Sequence, residues 1–448
     1  MTRSPSLTSV ERALRLHCWQ RRKELPIDTF SGQPSTPPRG APRIDDYALL
    51  GDCRSAALVS RTGSIDWLCF PRFDSPACFA ALVGDRNNGC WSIAPSVEYD
   101  SERSYRPGTM VLTTTHRAPA GTVEVTDALV ATGPGQRIVR IVRGRSGTVP
   151  VRMELRVRFD YGSAVPWVQR HGDAMRATAG PDALTLRTPA AVYEDGNTTV
   201  ADFEISDGDT VWFDLAWHPS HEPAPDAIDA VAAIEDTASW WEDWAGHLDY
   251  DGRYRDDVRA SLVVLKALSY APTGAIVAAP TTSLPEWIGG TRNWDYRYCW
   301  LRDATFTLLA LLRGGCLDEA IGWRDWLARA VAGDPADLQI MYGIAGERRL
   351  AEAELEWLDG FAGSRPVRVG NGAHDQLQID VFGEVMDAMH HARETGIEPD
   401  PAVWRIQQHL LAWLCDNWQQ PDEGIWEVRG GRAHFIYSKV MAWVAFDR

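Results

Sequence analysis

A chain of 448 residues, 45% hydrophobic and 24% charged, has a globular composition and room for two or three domains of about 100–200 residues each. This excludes wholesale disorder, collagen-like sequence and a coiled-coil rod. A formal net charge of −16 repels a phosphate backbone, so nucleic acid is excluded as a partner. No apolar run reaches the roughly 18–20 residues of a membrane span, and no basic-then-apolar leader opens the chain. The expected protein is cytoplasmic, with no membrane partner. Association into a homo-oligomer is left open.

Residues 1–43 form the first segment, basic at first and then rich in Pro, Gly and Ser from Ser31 to Pro42. It has little to bury and is expected to be a flexible extension. From Ile44 onward short β-branched or alternating runs recur between turn residues: Ala56–Ser60, Ile65–Phe70, Met110–His116, Val123–Val130, Ile138–Arg143, Val149–Phe159 and Val211–Trp217. The alternation from Val151 to Phe159 gives one apolar and one charged face, and many such strands without intervening helices predict an antiparallel sandwich over 44–225.

Near Asp226 the period changes. Ala227–Leu248 reads as a helix linking two domains (226–250), and Val258, Leu262, Leu265 and Leu268 recur at helical spacing. Further helices are predicted over Ala304–Arg313, Leu317–Val331, Gln376–Glu394, Pro401–Trp418 and from Tyr437 to the C-terminus. The fold class is therefore multidomain β + α, with the helical domain spanning 251–448.

The chemistry narrows by elimination. No G-x-S-x-G, H-E-x-x-H, P-loop or EF-hand pattern occurs, and eight cysteines show no paired spacing, so no metal site and no cofactor are expected. The cysteines read as reduced and mostly buried. Fourteen of the 20 tryptophans lie in 240–448, several beside acids: Glu286-Trp287, Trp294-Asp295, Trp300-Leu-Arg-Asp303 and Trp426-Glu427. Aromatic faces stack on sugar rings while Asp, Glu and Arg address hydroxyls, so this pattern points to a carbohydrate pocket. Trp323, Trp326, Trp404 and Trp413, at helical spacing, read as core.

Glycoside hydrolysis needs one carboxylic acid held protonated and a second carboxylate. Glu427, flanked by Trp426 and Val428, suits the acid if burial against Trp426 raises its pKa; the competing reading pairs it with Arg429. Arg302 and Asp303 either grip adjacent sugar hydroxyls or Asp303 merely caps a helix. Gln376, Asp380 and Glu384 fall four apart on one helical face, either a solvated stripe or a pocket wall, with Gln378 in the same segment.

At these residues a resemblance appears. NWDYRYCWLRD (293–303), APTTSLPEWIGG (279–290), NGAHDQLQIDVFGEVMDA (371–388) and GIWEVRG (424–430) closely resemble glycoside hydrolase family 15, its bacterial glucoamylase-like and trehalase branch. IDDYALLGD (44–52) and GSIDWLCFPRFDSP (63–76) look like the trehalase-like domain that precedes it. The resemblance implies an N-terminal super-sandwich followed by a six-hairpin (α/α) toroid, and inverting hydrolysis of an α-glucoside, trehalose or a maltooligosaccharide, with trehalose favoured. It places the general acid at Glu427, sugar binding at Arg302 and Asp303, and walls of the glucose subsite at Trp300 and Trp426; Trp294, Gln378 and Asp380 are read beside these as further substrate-binding candidates. The family's general base lies in the second half of the toroid, and this sequence ends at Arg448. The toroid is therefore expected to be incomplete, the chain a truncated member, and its own turnover poor.

Overall fold

Residues 43–448 are described by the structure, a computed structural model; all of 1–43 but Arg43, with Cys18, lies outside them. Fifteen strands from Tyr47 to Pro219 form one antiparallel network. Its pivot is a single strand, Gln136–Arg156, which joins two runs that the sequence suggests are separate. The first half of this strand pairs with Gly121–Leu129 and Thr210–Pro219, the second with Cys90–Pro95 and Thr198–Ser206. One strand thus serves both layers of a sandwich. Alternation does what it predicts: Val151, Met153, Leu155, Val157 and Phe159 are buried in one apolar cluster with Val59, Ile93, Val123 and Phe213.

Helix α1, Ala230–Gly246, opens with Asp229 accepting from the amides of Val231 and Ala232. Its Ala230, Ile234 and Ala238 pack on Val111, Val139 and Ile141 of the sandwich. One turn further, Trp241 and Ala245 meet Val263 and Ala267 of α2, Arg255–Ala267. A helix with one apolar stripe therefore bonds to both halves.

The rest is α3 (Leu301–Arg313), α4 (Leu317–Ala330), α5 (Asp380–Glu394), α6 (Pro401–Asn417) and α7 (Ile436–Asp447). Helix α5 packs against both α3 and α7, making an inner row, while α2, α4 and α6 alternate behind it. Leu308, Leu311, Trp323, Trp326, Phe382, Val385 and Leu414 fill the space between the rows. Trp323 and Trp326 are core as expected, and Trp413 stacks on Phe382 at 4.8 Å. Trp404 is not core: half of it faces solvent. Six described cysteines are buried thiols, and Cys415 is exposed. No described helix is long and apolar enough to cross a membrane.

Candidate functional site

The first wall of the site is the segment 293–303. Asn293–Asp295 pairs with Thr282–Pro285 and Cys299–Trp300 with Met341–Tyr342, after which the chain turns into α3 with Trp300 at its N-cap. Asp303 is therefore not the cap; it and Arg302 lie in the first turn, where a carboxylate is favoured by the free amides.

The second wall is the loop from Asp422 to Ala433, whose ends exchange both backbone hydrogen bonds. Glu427 has φ +51, in the left-handed region that costs a non-glycine residue on the order of 1 kcal/mol. That conformation is held from both sides. The indole Nε1 of Trp300 donates to Glu427 Oε1 at 2.8 Å, and the Gln376 amide reaches the carbonyls of Glu427 and Val428 at 3.4 and 3.5 Å.

Arg302 stands at the centre. Its Nη2 is 3.8 Å from Asp303 and 3.9 Å from Glu427, and its Nη1 is 3.6 Å from Asp380. Asp303 and Glu427, 124 positions apart, thus share one guanidinium nitrogen. Side-chain exposure falls from 50% at Asp303 through 23% at Glu427 and 16% at Arg302 to 0% at Asp380, so the constellation opens at Asp303 and is floored by Asp380.

Burial sets the proton affinities. It pushes Asp380 up to about 6, against the pull of Arg302, and Glu384 up to about 7, although Tyr437 donates to Glu384 at 2.7 Å. Glu427 is also raised above the ordinary carboxylate range by burial, opposed by the Trp300 hydrogen bond and Arg302 and reinforced by Asp303. A carboxyl that holds its proton more tightly than usual, with a cation beside it, can deliver that proton to an oxygen held by the cation.

Several expectations need correction. Trp426 does not bury Glu427: it is 83% exposed, and the carboxylate lies against Trp300 instead. Arg429 does not pair with Glu427 but with Glu352 at 2.8 Å. Trp294 is no bare sugar platform, since the guanidinium groups of Arg429 and Arg368 stack on its ring at 4.3 and 4.7 Å. Asp295 is wholly buried against Arg297, and half-exposed Glu286 faces Arg292 at 3.9 Å.

Helix α5 begins at Asp380 rather than Gln376. Asn371 caps a short turn over Gly372–Asp375, and the backbone of Leu377 then accepts from Glu423, so these groups serve the neighbouring loop rather than a helix. Gln376 and Gln378 are loop residues. Gln378 is buried with neither polar atom of its carboxamide bonded among the described residues. Asp380 and Glu384 do share a face of α5, but a buried one.

Two site residues escaped the sequence reading. Tyr296 lies 5.5 Å from Trp300, its hydroxyl raised to about 12 by burial and by Glu286, Glu427 and Asp303. The signal was available, because Trp294, Tyr296, Tyr298 and Trp300 alternate and extended chain puts alternate residues on one side. Tyr437, partner of Glu384, had no comparable signal. No group of three or more metal-ligating side chains occurs among the described residues.

A sandwich is thus joined to an array of paired helices, with Arg302 among three carboxylates, two in the first turns of helices and one in a loop. The sequence profile of Glycosyl hydrolases family 15 matches residues 252–448, and that of the Trehalase-like, N-terminal domain matches 38–221. The trehalase of Mycolicibacterium smegmatis is 39% identical across 91% of this chain and 65% of its own length; that of Mycobacterium tuberculosis is 38% identical over 91% and 64%. The trehalase of Thermoplasma acidophilum is 32% identical over 87% and 68%. The chain belongs to glycosyl hydrolase family 15, and it spans about 65% of the length of the mycobacterial relatives. A bacterial glucoamylase crystallised with acarbose shares the fold, with a TM-score of 0.62 at 11% identity over 93% of this chain and 68% of that one.

Proposed function

We propose that this chain carries the proton donor and the glucose-holding side of an inverting α-glucoside hydrolase, with trehalose the favoured substrate. The observation that carries the reading is the contact of Arg302 with Asp303, Asp380 and Glu427 at once. Glu427 is the general acid: burial holds its proton, and the Trp300 indole receives the negative charge left when that proton goes to the glycosidic oxygen. Arg302 and Asp303 take adjacent hydroxyls of the glucose ring, Trp300 and Tyr296 form its wall, and Gln378 and Asp380 line the floor. Trp426 and Trp294 belong to the rim. The carboxylate that activates water in an inverting displacement is left to a residue outside this constellation.

Trehalases among the relatives support the substrate; the glucoamylase fold makes maltose the competing one. Buried free thiols favour the cytoplasm. Two folding units meeting near Asp226 are proposed, the first a scaffold for the second. Glucose released from trehalose and from maltose, by the native chain and by Glu427→Gln, tests the assignment. Native release is expected to be slow, because the water-activating carboxylate lies outside this constellation, and it should be lost in the variant with sugar binding retained. Release that survives Glu427→Gln removes Glu427 from the role, and maltose hydrolysed in preference to trehalose reverses the substrate order.

A further inference from the structure

Arg297 lies only three residues before Trp300, yet its side chain points away from the site and into the strand-rich unit. It is 1% exposed, and a buried guanidinium is tolerable only when all its N–H groups are met. Here they are. Nε and Nη2 form a bidentate pair with Asp295 at 2.9 and 2.7 Å; Nη1 donates to the carbonyl of Ser75 at 2.8 Å and faces Cys69 Sγ at 3.7 Å; Nη2 also donates to the Tyr161 hydroxyl at 2.7 Å. The rings of Tyr161 and Trp67 stack on it at 5.3 and 5.9 Å. Cys69, Ser75, Trp67 and Tyr161 all come from the sandwich.

Asp295 carries the connection onward. Its Oδ2 accepts from the Gly370 amide at 3.2 Å, and its carbonyl from the Asn371 side chain at 3.4 Å. Gly370 has φ +74, and a Cβ there would strike the Ala351 carbonyl at 2.0 Å, so the backbone can make this approach only as glycine. Asn371 caps the turn that delivers Gln376. One ion pair therefore anchors both segments that hold Glu427: Trp300, which bonds its carboxylate, and Gln376, which bonds its backbone.

We infer that Arg297 is a positioning residue through which the N-terminal sandwich sets the geometry of Glu427. The inference rests on the assignment of Glu427 as proton donor for its consequence in catalysis, but not for its test. Loosening Arg297 from the sandwich side lets Trp300 drift from Glu427. An ionised carboxylate that loses a donor titrates higher. The other groups facing Glu427 are Arg302 and Asp303 of α3, Tyr296, and Arg429 of its own loop, and none of them is bonded to Tyr161 or Arg297.

The test is Tyr161→Phe in the full chain, which removes one hydroxyl from the sandwich side. The Glu427 carboxyl is titrated by NMR with 13C-labelled glutamate, its resonance assigned by loss in Glu427→Gln, and amide hydrogen exchange is followed by mass spectrometry. Expected are a rise of about half a pH unit or more in the Glu427 midpoint and faster exchange in both 298–303 and 370–376. Arg297→Lys, which keeps the charge but loses the fork, moves the same observables and serves if Tyr161→Phe folds poorly. An unmoved midpoint, or faster exchange confined to 67–79 and 159–163, overturns the inference and leaves Arg297 as interface cement. Neither observable needs turnover, so a native chain that fails to bind trehalose but shows the titration shift would count against the hydrolase reading alone.

Discussion

Glu384 and Asp380 keep carboxyl groups inside the helix array, and the consequence runs opposite to that of a salt-bridged acid. Their folded pKa values, about 7 and about 6, stand above the unfolded values near 4, so between those limits the native state binds protons that the unfolded chain does not. Their contribution is fully present below the unfolded pKa and is lost as pH rises through 6 and 7. Glu319, Glu347 and Glu352, lowered by Lys266, Arg72 and Arg429, act in reverse and give up stability only as pH falls through the lower carboxylate range. The thermal midpoint is accordingly expected to rise from pH 8 to pH 5.5. Glu384→Gln, which still accepts from Tyr437, should flatten that rise and stabilise the protein at pH 8 by about 2–3 kcal/mol. Calorimetry at both pH values decides it. Trp300→Phe keeps an aromatic ring but loses the indole N–H, so the Glu427 pKa should climb and the alkaline limb of any pH–rate profile should move to higher pH. Glu427, Arg302 and Asp303 were legible as candidate site residues because the motifs that carry them are local. What buries Glu427 was not, since its shield comes from 127 residues upstream.

Periodicity places every described helix predicted in the sequence to within a few residues, and the error at Gln376–Ile379 is instructive. Those four residues have helical spacing, but their backbone groups are claimed by Glu423 and Asp422 across the site, a tertiary demand that no local pattern records. The 21-residue strand was read as two because its middle, Gly144 to Gly147, looks like a turn. Close helix contact is equally silent in the sequence. Gly383 lies in the first turn of α5, where a Cβ would sit 2.3 Å from the Met441 carbonyl of α7. In an isolated helix Gly383→Ala would stabilise; here it should cost about 1–3 kcal/mol and loosen α7 first. A lowered denaturation midpoint with faster exchange at 436–447 is the expected result, and a raised midpoint would mean that α7 does not pack as described.

The two halves of the molecule are joined by more than the chain. Trp67 donates to the carbonyl of Pro280, Trp357 to that of Tyr161, and Arg72 pairs with Glu347 at 2.7 Å. Within the helical half, Glu319 receives both Lys266 and Trp244, tying α4 to α2 and to α1. Glu319→Ala would strand a largely buried lysine and should cost about 3 kcal/mol, read as a lowered thermal midpoint in which both halves still unfold together. The division into a strand-rich and a helix-rich half was legible from the change of period near Asp226. The long-range pairs were not, because each needs partners more than 50 residues apart.

The proposed sugar site is built around Arg302. Calorimetric titration of trehalose into the 448-residue chain, beside Arg302→Met and Glu427→Gln, addresses it directly, since binding requires no turnover. The native chain and Glu427→Gln should bind with similar affinity, and Arg302→Met should weaken binding by tenfold or more, about 1.4 kcal/mol. Binding by Arg302→Met equal to that of the native chain, or no binding by any of the three, would show that Arg302, Asp303, Asp380 and Glu427 do not form a glucose site.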